Sequence, residues 1–477
     1  MTQTVELPLW LFVLVVVFAA VTFASHFLFP SVRWFFRRRL ERAVARLNQR
    51  LERPIEPFKL ARRYDMIQRL IYDPQVTKAV AEQAAAEGIP DNVAFEQARG
   101  YAREIVPGFS AFAYFGLAIR AARVLSNALY HVRFGHSDEA ALRRISPDAT
   151  VVFVMNHRSN MDYVLVTYLA AQRLTLSYAV GEWARVWPLS RLIRAMGAYF
   201  IRRRSHSPLY RAVLAAYVRL ATRGGVTQAM FPEGGLSLDG VLAPPKLGLL
   251  KYIVDASAAE SRDVVFVPVA LNYDRVLEDK ILTSAARAGE RRFRARIGVV
   301  ALKMLRQHWL WITGRFRRFG HAAVSFGRPL SLQEFAGGRS GEVTVPLARE
   351  LMERIGEIVP VLPVPLAAAV LLEQDDLSRA AITHRAAALL EAMPLSGLHL
   401  PPENCDFEIA AALRRLEERG LITCRQDRCR VAPGQRDLLA FYAASIRHLL
   451  PKPMLPPAGS GPAHAANAKC DAASARS

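Results

Sequence analysis

The feature that most constrains the fold is a succession of short apolar runs that begins near residue 146. Each run is rich in β-branched or aromatic residues, ends at Gly, Pro or a polar cluster, and is followed by a segment with helical apolar spacing. The runs are residues 151–155, 198–201, 227–231 and 264–271, with a further candidate at 321–327. Strands that alternate with helices predict an α/β domain with a largely parallel mixed sheet flanked by helices. Functional side chains are then expected on loops at the C-terminal ends of the strands.

A second constraint is the uncharged stretch over residues 7–32. Its centre, residues 9–29, is 21 residues long, close to the length that a membrane-spanning helix needs. The basic segment RWFFRRRLER follows it, which predicts that the chain after the span is cytoplasmic and that this segment faces anionic lipid. For a bacterial protein, this means a single-pass protein of the inner membrane. The alternative is a buried core helix.

These patterns divide the chain into five predicted regions. Residues 33 to about 130 have apolar positions at helical spacing, and residues 357–373 contain an apolar run too short and too rich in proline for a second span. A helix, hairpin and helix pattern that resembles a winged helix follows, before a tail rich in Pro, Ala, Gly and Ser. The regions are a transmembrane anchor (1–32), a basic and helical region (33–135), the α/β domain (136–350), a C-terminal helical region (351–450) and a disordered tail (451–477).

Composition narrows the function only coarsely. The formal charge of +21 indicates affinity for anions, whether phosphates, lipid headgroups or nucleic acid. All four cysteines lie in the last quarter of the chain and are expected to be reduced thiols. Cys424 and Cys429 lack nearby partners for a metal ion, so no metal is predicted.

The loop after the first run, in VVFVMNHRSNMD, carries His157 and Asp162. One interpretation is structural, because Ser159 and Asp162 have the spacing of a helix capping box. The other is catalytic: Asp162 holds one imidazole nitrogen of His157, and the other nitrogen takes a proton from an alcohol. The pair by itself does not decide between them.

The second loop carries a cluster of arginines. Arg202 and Arg203, with Arg204 beside them, follow the run at 198–201 and are suited to holding a phosphate through charge-assisted hydrogen bonds. The alternative is a solvated basic loop or a patch that faces lipid.

The third and fourth loops add a glycine turn and a proline. Glu233 precedes Gly234 and Gly235, which would let the backbone approach a ligand closely, although a plain turn is equally compatible with the pattern. Lys246 offers another contact for an anion. Pro268 interrupts an apolar run, which suggests an edge strand or a rim.

Together the segments VMNHRSNMDYVLV, GAYFIRR, FPEGGLS and VPVAL resemble, in order and spacing, the four motifs of the glycerolipid acyltransferases. The first motif is most similar to the glycerol-3-phosphate and dihydroxyacetone-phosphate branch, and upstream and late segments extend the resemblance over residues 60–450. That family transfers acyl groups from acyl-CoA or acyl carrier protein to a glycerophosphate hydroxyl, without a covalent acyl-enzyme. The resemblance implies an enzyme of phospholipid synthesis that needs no cofactor.

The resemblance also implies roles for individual residues. His157 would be the general base and Asp162 its orienting partner, while Arg202 and Arg203 would bind the acceptor phosphate. The remaining substrate-binding residues would be Arg158, Glu233, Gly234, Gly235, Lys246 and Pro268.

Two departures from the family pattern affect substrate choice. Leu236 and Leu238 stand where the third motif usually has arginines, so a cation for the acceptor phosphate is missing. Lys246 or Arg204 could supply that charge. Ala443 and Ala444 replace a common asparagine in the late motif, FYAASIRHLL.

Three other functions remain open. The acceptor could be lysophosphatidate or another lysophospholipid, the protein could bind lipid without turnover, or the winged-helix-like segment could read nucleic acid from a membrane tether.

Overall fold

The computed structural model describes residues 63–110, 112–170, 177–181, 193–202, 207–257, 262–289, 318–337, 339, 341–393 and 404–451, together with residues 8, 10, 13, 14, 16 and 17. The chain divides into two compact units, Met1–Ile55 and Glu56–Ser477. Apart from those six residues, the predicted membrane anchor lies outside the described residues, and so does the predicted disordered tail beyond residue 451. Within the described residues, no helix has the length and apolar character needed to cross a membrane.

The second unit contains both helices and strands. The α-helices are α1 (Arg63–Ile71), α2 (Pro74–Glu87), α3 (Asp91–Ile105), α4 (Ile119–Leu129), α5 (Glu139–Arg143), α6 (Met161–Ala170), α7 (Pro208–Arg223), α8 (Gly248–Ser257), α9 (Asp279–Ala288), α10 (Leu332–Ala336), α11 (Thr344–Glu357), α12 (Pro363–Glu373), α13 (Arg379–Ala392), α14 (Cys405–Glu418) and α15 (Arg436–Ala444). The strands are β1 (His131–Ser137), β2 (Thr150–Met155), β3 (Ser177–Gly181), β4 (Tyr199–Ile201), β5 (Gln228–Met230), β6 (Val264–Tyr273), β7 (His321–Phe326), β8 (Leu330–Ser331), β9 (Leu377–Ser378), β10 (Ile422–Arg425) and β11 (Arg428–Val431). A π-helix spans Phe112–Ala118, and a 3-10 helix spans Arg447–Leu449.

The main sheet has eight strands in the order β1-β7-β6-β2-β5-β3-β4, with β8 paired to β6. Strands β2 to β6 run parallel to one another, whereas β7 and β8 pair with β6 in the antiparallel direction. The predicted mixed, largely parallel sheet flanked by helices is therefore confirmed. All five strands predicted from the apolar runs are present.

The centre of this sheet is formed by β2 and β6. Every residue of both strands is buried, as expected for strands covered on both faces. Because β2 lies between β6 and β5, the loops that follow these three strands meet at one edge of the sheet. That edge carries the first and third motifs, whereas the fourth motif lies within β6.

The position of Pro268 differs from the prediction of an edge strand. Pro268 lies within β6, paired with Val154 of β2 on one side. On the other side, β8 pairs with residues up to Phe266 and β7 pairs with residues from Val269 onward, so Pro268 falls between the two partners. A missing backbone N–H costs nothing at such a gap, and the Pro268 carbonyl still accepts a bond from the Gly327 N–H at 2.8 Å.

The C-terminal region contains the predicted helix, hairpin and helix. Helix α14 leads into strands β10 and β11, and helix α15 follows. Before them, α12 is buried over the whole of Pro363–Leu372, which explains its uninterrupted apolar sequence without a membrane.

The expectation that all cysteines are reduced is wrong for one pair. The β10–β11 hairpin places Cys424 directly opposite Cys429, and a disulfide joins them. Gln426 and Asp427 form the two-residue turn, both with positive φ, which fixes this register. Cys405 is free and buried.

Candidate active site

The loop between β2 and α6 holds a histidine and carboxylate pair. His157 Nδ1 lies 2.9 Å from Asp162 Oδ2, and both side chains are at most 1% exposed. Because the carboxylate holds the proton at Nδ1, the lone pair of the ring is on Nε2, the nitrogen that can accept a proton from an alcohol.

Asp162 also organises the start of α6. Its Oδ2 accepts the backbone N–H groups of Arg158 at 2.7 Å and Ser159 at 3.1 Å, while the Ser159 hydroxyl accepts the N–H of Met161 at 3.1 Å. The acidic half of the predicted capping box is thus formed. The capping and the orienting functions are compatible, since one carboxylate serves both.

The imidazole of His157 lies among aromatic rings. It stacks on Phe231, which directly follows β5, with ring centroids 4.1 Å apart, and it meets the edge of Tyr163 at 5.5 Å. These contacts fix the ring orientation and exclude water from it.

Glu233 braces the loop between β2 and α6. Its Oε1 accepts the backbone N–H of His157 at 2.8 Å, and its Oε2 accepts the N–H of Ala243 at 2.9 Å. Burial raises the pKa of the Glu233 carboxyl above its ordinary value, against the opposing effects of the Ala243 N–H, the Arg158 charge and the His157 N–H. Ser237 then donates its N–H to the His157 carbonyl at 3.0 Å, so the third motif holds the first motif from both sides.

The glycine turn brings Lys246 to this site. Gly234 has φ +67°, and a Cβ at this position would lie 2.7 Å from Cδ and 3.2 Å from Nζ of Lys246. The Lys246 N–H donates to the Pro232 carbonyl at 2.8 Å, which anchors its backbone beside the turn. Gly234 is therefore required both for backbone conformation and for space, while Gly235 follows it half-buried.

Arg202 is held in place by the helical region. Its Nε and Nη2 donate to both oxygens of Glu104 at 2.6 to 3.2 Å, and its guanidinium lies 5.3 Å from the ring centroid of Tyr101 and 5.6 Å from that of Tyr210. Its Nη1 makes no hydrogen bond to any part of the chain that the structure describes. Arg203, the predicted partner of Arg202, lies outside the described residues.

Arg158 points away from the loop and into the protein. Its guanidinium is 2% exposed and donates to the backbone carbonyls of Gly240 and Ser445. This contact joins the loop between β2 and α6 to the segment that follows α15. A direct contact of Arg158 with substrate stays a prediction, as does one of Pro268, which is enclosed by strand pairing.

Two residues, one at the end of β6 and one before α9, were not singled out from the sequence. The Tyr273 hydroxyl donates to Asp162 Oδ1 at 2.6 Å. Glu278 accepts the Ser159 hydroxyl at 2.8 Å and the Asn160 amide at 3.0 Å. The sequence does carry a signal for Tyr273. The apolar run VVFVPVALNY ends in this tyrosine, whose polar hydroxyl is then expected at the edge of the sheet where the other motifs lie.

In the described part of the chain, no three His, Cys, Asp or Glu side chains lie close enough together to hold a metal ion.

Two family models match the chain. The acyltransferase model matches residues 137–272, and the model of the glycerol-3-phosphate acyltransferase C-terminal region matches residues 310–456. The chain is therefore similar to the acyltransferase domain in its middle part and to the C-terminal region of glycerol-3-phosphate acyltransferases in its last third. The first match contains all four motifs, and the second contains α11 to α15.

Relatives of this family cover most of the chain. The glycerol-3-phosphate acyltransferase of Pseudomonas putida is 28% identical over 437 residues, which cover 83% of this chain and 50% of that protein. The enzyme of the same name from Pseudomonas entomophila is 29% identical over 378 residues, 72% of this chain and 44% of that protein. The chain thus spans about half the length of the curated relatives it matches.

One solved structure shares a weaker likeness. The crystal structure of the 1-acyl-sn-glycerophosphate acyltransferase from Thermotoga maritima matches with a TM-score of 0.31 and 20% identity, over 51% of this chain and 75% of that one.

Proposed function

We propose that the protein transfers a fatty acyl group from acyl-CoA or acyl carrier protein to a hydroxyl of glycerol 3-phosphate, a step of phospholipid synthesis. The observation that carries this proposal is the His157–Asp162 pair, oriented at 2.9 Å and braced by Glu233 at the C-terminal edge of the sheet. The names of the relatives support the choice of acceptor.

The proposed reaction needs only a base and correct positioning. Nε2 of His157 takes the proton of the acceptor hydroxyl as its oxygen attacks the thioester carbonyl. The tetrahedral intermediate collapses, the carbon–sulfur bond breaks, and the proton passes from His157 to the thiolate. A thioester is already activated, so orientation and brief stabilisation of the oxyanion supply what remains. The acyl group is never covalently attached to the enzyme.

The acceptor phosphate is assigned to Arg202, Arg203 and Lys246. Glu104 occupies Nε and Nη2 of Arg202, which leaves Nη1 as the donor that faces a ligand. Lys246 lies against Gly234 and brings a positive charge to the turn where Leu236 replaces the usual arginine.

Membrane attachment is also proposed. The uncharged run at residues 7–32 and the basic segment after it would anchor the enzyme on the cytoplasmic face, among anionic lipids. Retention of the full chain, but not of residues 33–477, in membranes washed with alkaline carbonate would support this placement. Equal release of both would contradict it.

An acceptor screen tests the function. Membranes that contain the full-length chain are incubated with radiolabelled acyl-CoA, or with acyl carrier protein loaded with the same acyl group, and with glycerol 3-phosphate, dihydroxyacetone phosphate, lysophosphatidate or glycerol. We expect labelled lysophosphatidate from glycerol 3-phosphate, no product from glycerol, and no label on the protein after denaturation. Phosphatidate from lysophosphatidate alone would move the assignment to the alternative acceptor. Absence of any product above that of His157→Ala membranes would overturn the enzyme assignment.

A further inference from the structure

Tyr273 lies at the C-terminal end of β6 and contacts Asp162 of the catalytic pair. Its side chain is fully buried, and its hydroxyl donates to Asp162 Oδ1 at 2.6 Å. Burial and the charge of Asp162 raise the pKa of Tyr273 well above its ordinary value, so the hydroxyl remains a donor at every pH at which the enzyme would work.

The two oxygens of Asp162 have different partners. Oδ2 accepts three bonds, from His157 Nδ1 and from the N–H groups of Arg158 and Ser159, all of which belong to the same short loop. Oδ1 accepts from Tyr273, which belongs to another strand. Among the described residues, only the Tyr273 contact therefore ties the carboxylate to the rigid sheet rather than to the loop that it organises.

The orientation of Tyr273 is itself fixed. Its ring packs against Tyr130 with centroids 5.4 Å apart, and its backbone pairs with Ala322 of β7. The hydroxyl of Tyr130 does not serve the catalytic pair, because it donates to the Arg275 carbonyl at 2.8 Å.

We propose that Tyr273 is a positioning residue for acyl transfer: it fixes the carboxylate of Asp162, and through it the tautomer and orientation of His157. This inference rests on the proposed function. Removal of the hydroxyl would leave Oδ1 without its donor, and the carboxylate would become more basic and freer to turn. A more basic carboxylate stabilises the imidazolium, so His157 would become protonated at higher pH.

Other charged groups face the same carboxylate and must stay constant in the test. They are Arg158 in the loop after β2, Glu278 after β6, Tyr130 at the end of α4 and the imidazole of His157. Glu233 after β5 acts on Arg158 and His157 in turn. Tyr273→Phe removes one oxygen atom and leaves all of them in place.

The experiment compares Tyr273→Phe with Tyr130→Phe, a neighbouring buried tyrosine that also loses one hydrogen bond. The pH profile of kcat/KM is measured on membranes with the acceptor that the wild type prefers. We expect Tyr273→Phe to lower kcat roughly tenfold with an acceptor KM within about twofold, and to move the acid limb upward by roughly half to one pH unit. Tyr130→Phe should keep the wild-type acid limb. Superimposable acid limbs for Tyr273→Phe and the wild type would overturn the proposal.

A second readout separates this inference from the proposed function. Diethyl pyrocarbonate modifies neutral histidine, and peptide mass spectrometry follows the modification of His157 as a function of pH without any acceptor. The midpoint of this curve should rise in Tyr273→Phe and not in Tyr130→Phe. If the wild type is inactive, the proposed acyl transfer is wrong, but the shift in the midpoint can still be measured. If the enzyme is active and the midpoint does not change, only the role of Tyr273 is wrong.

Discussion

The carboxylate of Glu233 accepts the backbone N–H of His157 at 2.8 Å, so the motif that follows β5 holds the residue that follows β2. The second oxygen of Glu233 accepts the N–H of Ala243. Both oxygens are thus used by the protein itself, and the structure gives this residue a bracing function in addition to any contact with the acceptor.

Glu233→Gln should therefore lower kcat more than it raises the acceptor KM. The glutamine keeps one accepting oxygen, but its amide nitrogen would face a backbone N–H, which leaves a buried donor without a partner. We expect kcat to fall roughly tenfold to a hundredfold with little change in KM. Glu408→Gln, a buried carboxylate that contacts Arg133 and His321, is the control for a general loss of stability. A large rise in acceptor KM at unchanged kcat would instead assign Glu233 to direct binding.

His157→Ala should reduce acyl transfer by about a thousandfold or more, because the proposed mechanism assigns removal of the acceptor proton to Nε2 of this residue. His321→Ala is the matched control, since His321 Nδ1 also lies 2.9 Å from an aspartate, Asp274, and is also buried. The control should lose stability but retain kcat within about tenfold. Both variants are compared by initial rate at saturating substrates and by thermal unfolding. Retention of activity in His157→Ala within about tenfold would contradict the assignment.

The strands that were predicted are those whose burial is visible in the sequence. Strands β2 and β6 are buried on both faces and read as continuous apolar runs. Strand β1, HVRFGHS, was missed because it lies at the edge of the sheet with only β7 beside it, so its polar residues do not form such a run. The Cys424–Cys429 pair was missed because it depends on the register of a hairpin, which the turn at Gln426 and Asp427 sets.

The sequence brought candidate residues for the chemistry to attention, but not the contacts by which they support one another. His157 and Glu233 meet because β2 and β5 are neighbours, and Tyr273 reaches Asp162 because β6 lies on the other side of β2. The order of strands is a property of the whole sheet, which local apolar spacing does not encode. The same limit hid the contact between Arg158 and the carbonyl of Ser445, 287 residues away.

Lys246→Ala tests whether Lys246 supplies the positive charge that is missing where Leu236 stands in place of the usual arginine. We expect the acceptor KM to rise about tenfold with kcat within about threefold, since the loss is one charged contact to the phosphate. Lys246→Arg should retain most of the affinity, and Lys251→Ala, an exposed lysine that pairs with Asp255 on α8, should leave the acceptor KM unchanged. Saturation curves at fixed acyl donor decide the question. An unchanged KM in Lys246→Ala would remove Lys246 from the phosphate site.

Arg202→Ala should also raise the acceptor KM, with the rate recovered at high acceptor concentration. The expected rise is about tenfold to a hundredfold, because an arginine offers directional hydrogen bonds to a phosphate. Arg219→Ala on α7 is the control, since Arg219 forms a comparable ion pair with Asp73. A loss of kcat that excess acceptor does not restore would show that Arg202 acts on the fold through Glu104 rather than on the phosphate.

Asp274 should make the stability of the protein depend on pH in acid. Its Oδ2 accepts the backbone N–H of His321 at 2.8 Å and lies 3.5 Å from Nη1 of Arg415, while its Oδ1 accepts the N–H of Val364 at 2.9 Å. Burial alone raises the pKa of Asp274, but the hydrogen bond from His321 and the attraction of His321 and Arg415 outweigh it and leave the pKa below its ordinary value.

A carboxyl whose folded pKa is lowered stabilises the fold above its unfolded pKa, about 3.9, and the stabilisation is lost as pH falls through the folded value. Asp274→Asn should therefore cost about 3 kcal/mol or more near neutral pH, because it breaks a buried charged cluster. The difference in unfolding free energy between wild type and variant should shrink only below about pH 4, because there the carboxyl of the unfolded chain takes up its proton before that of the folded chain does. Denaturant unfolding of both proteins from pH 3 to pH 7 measures this difference. A gap that stays constant over the whole range would mean that Asp274 contributes through packing and not through its charge.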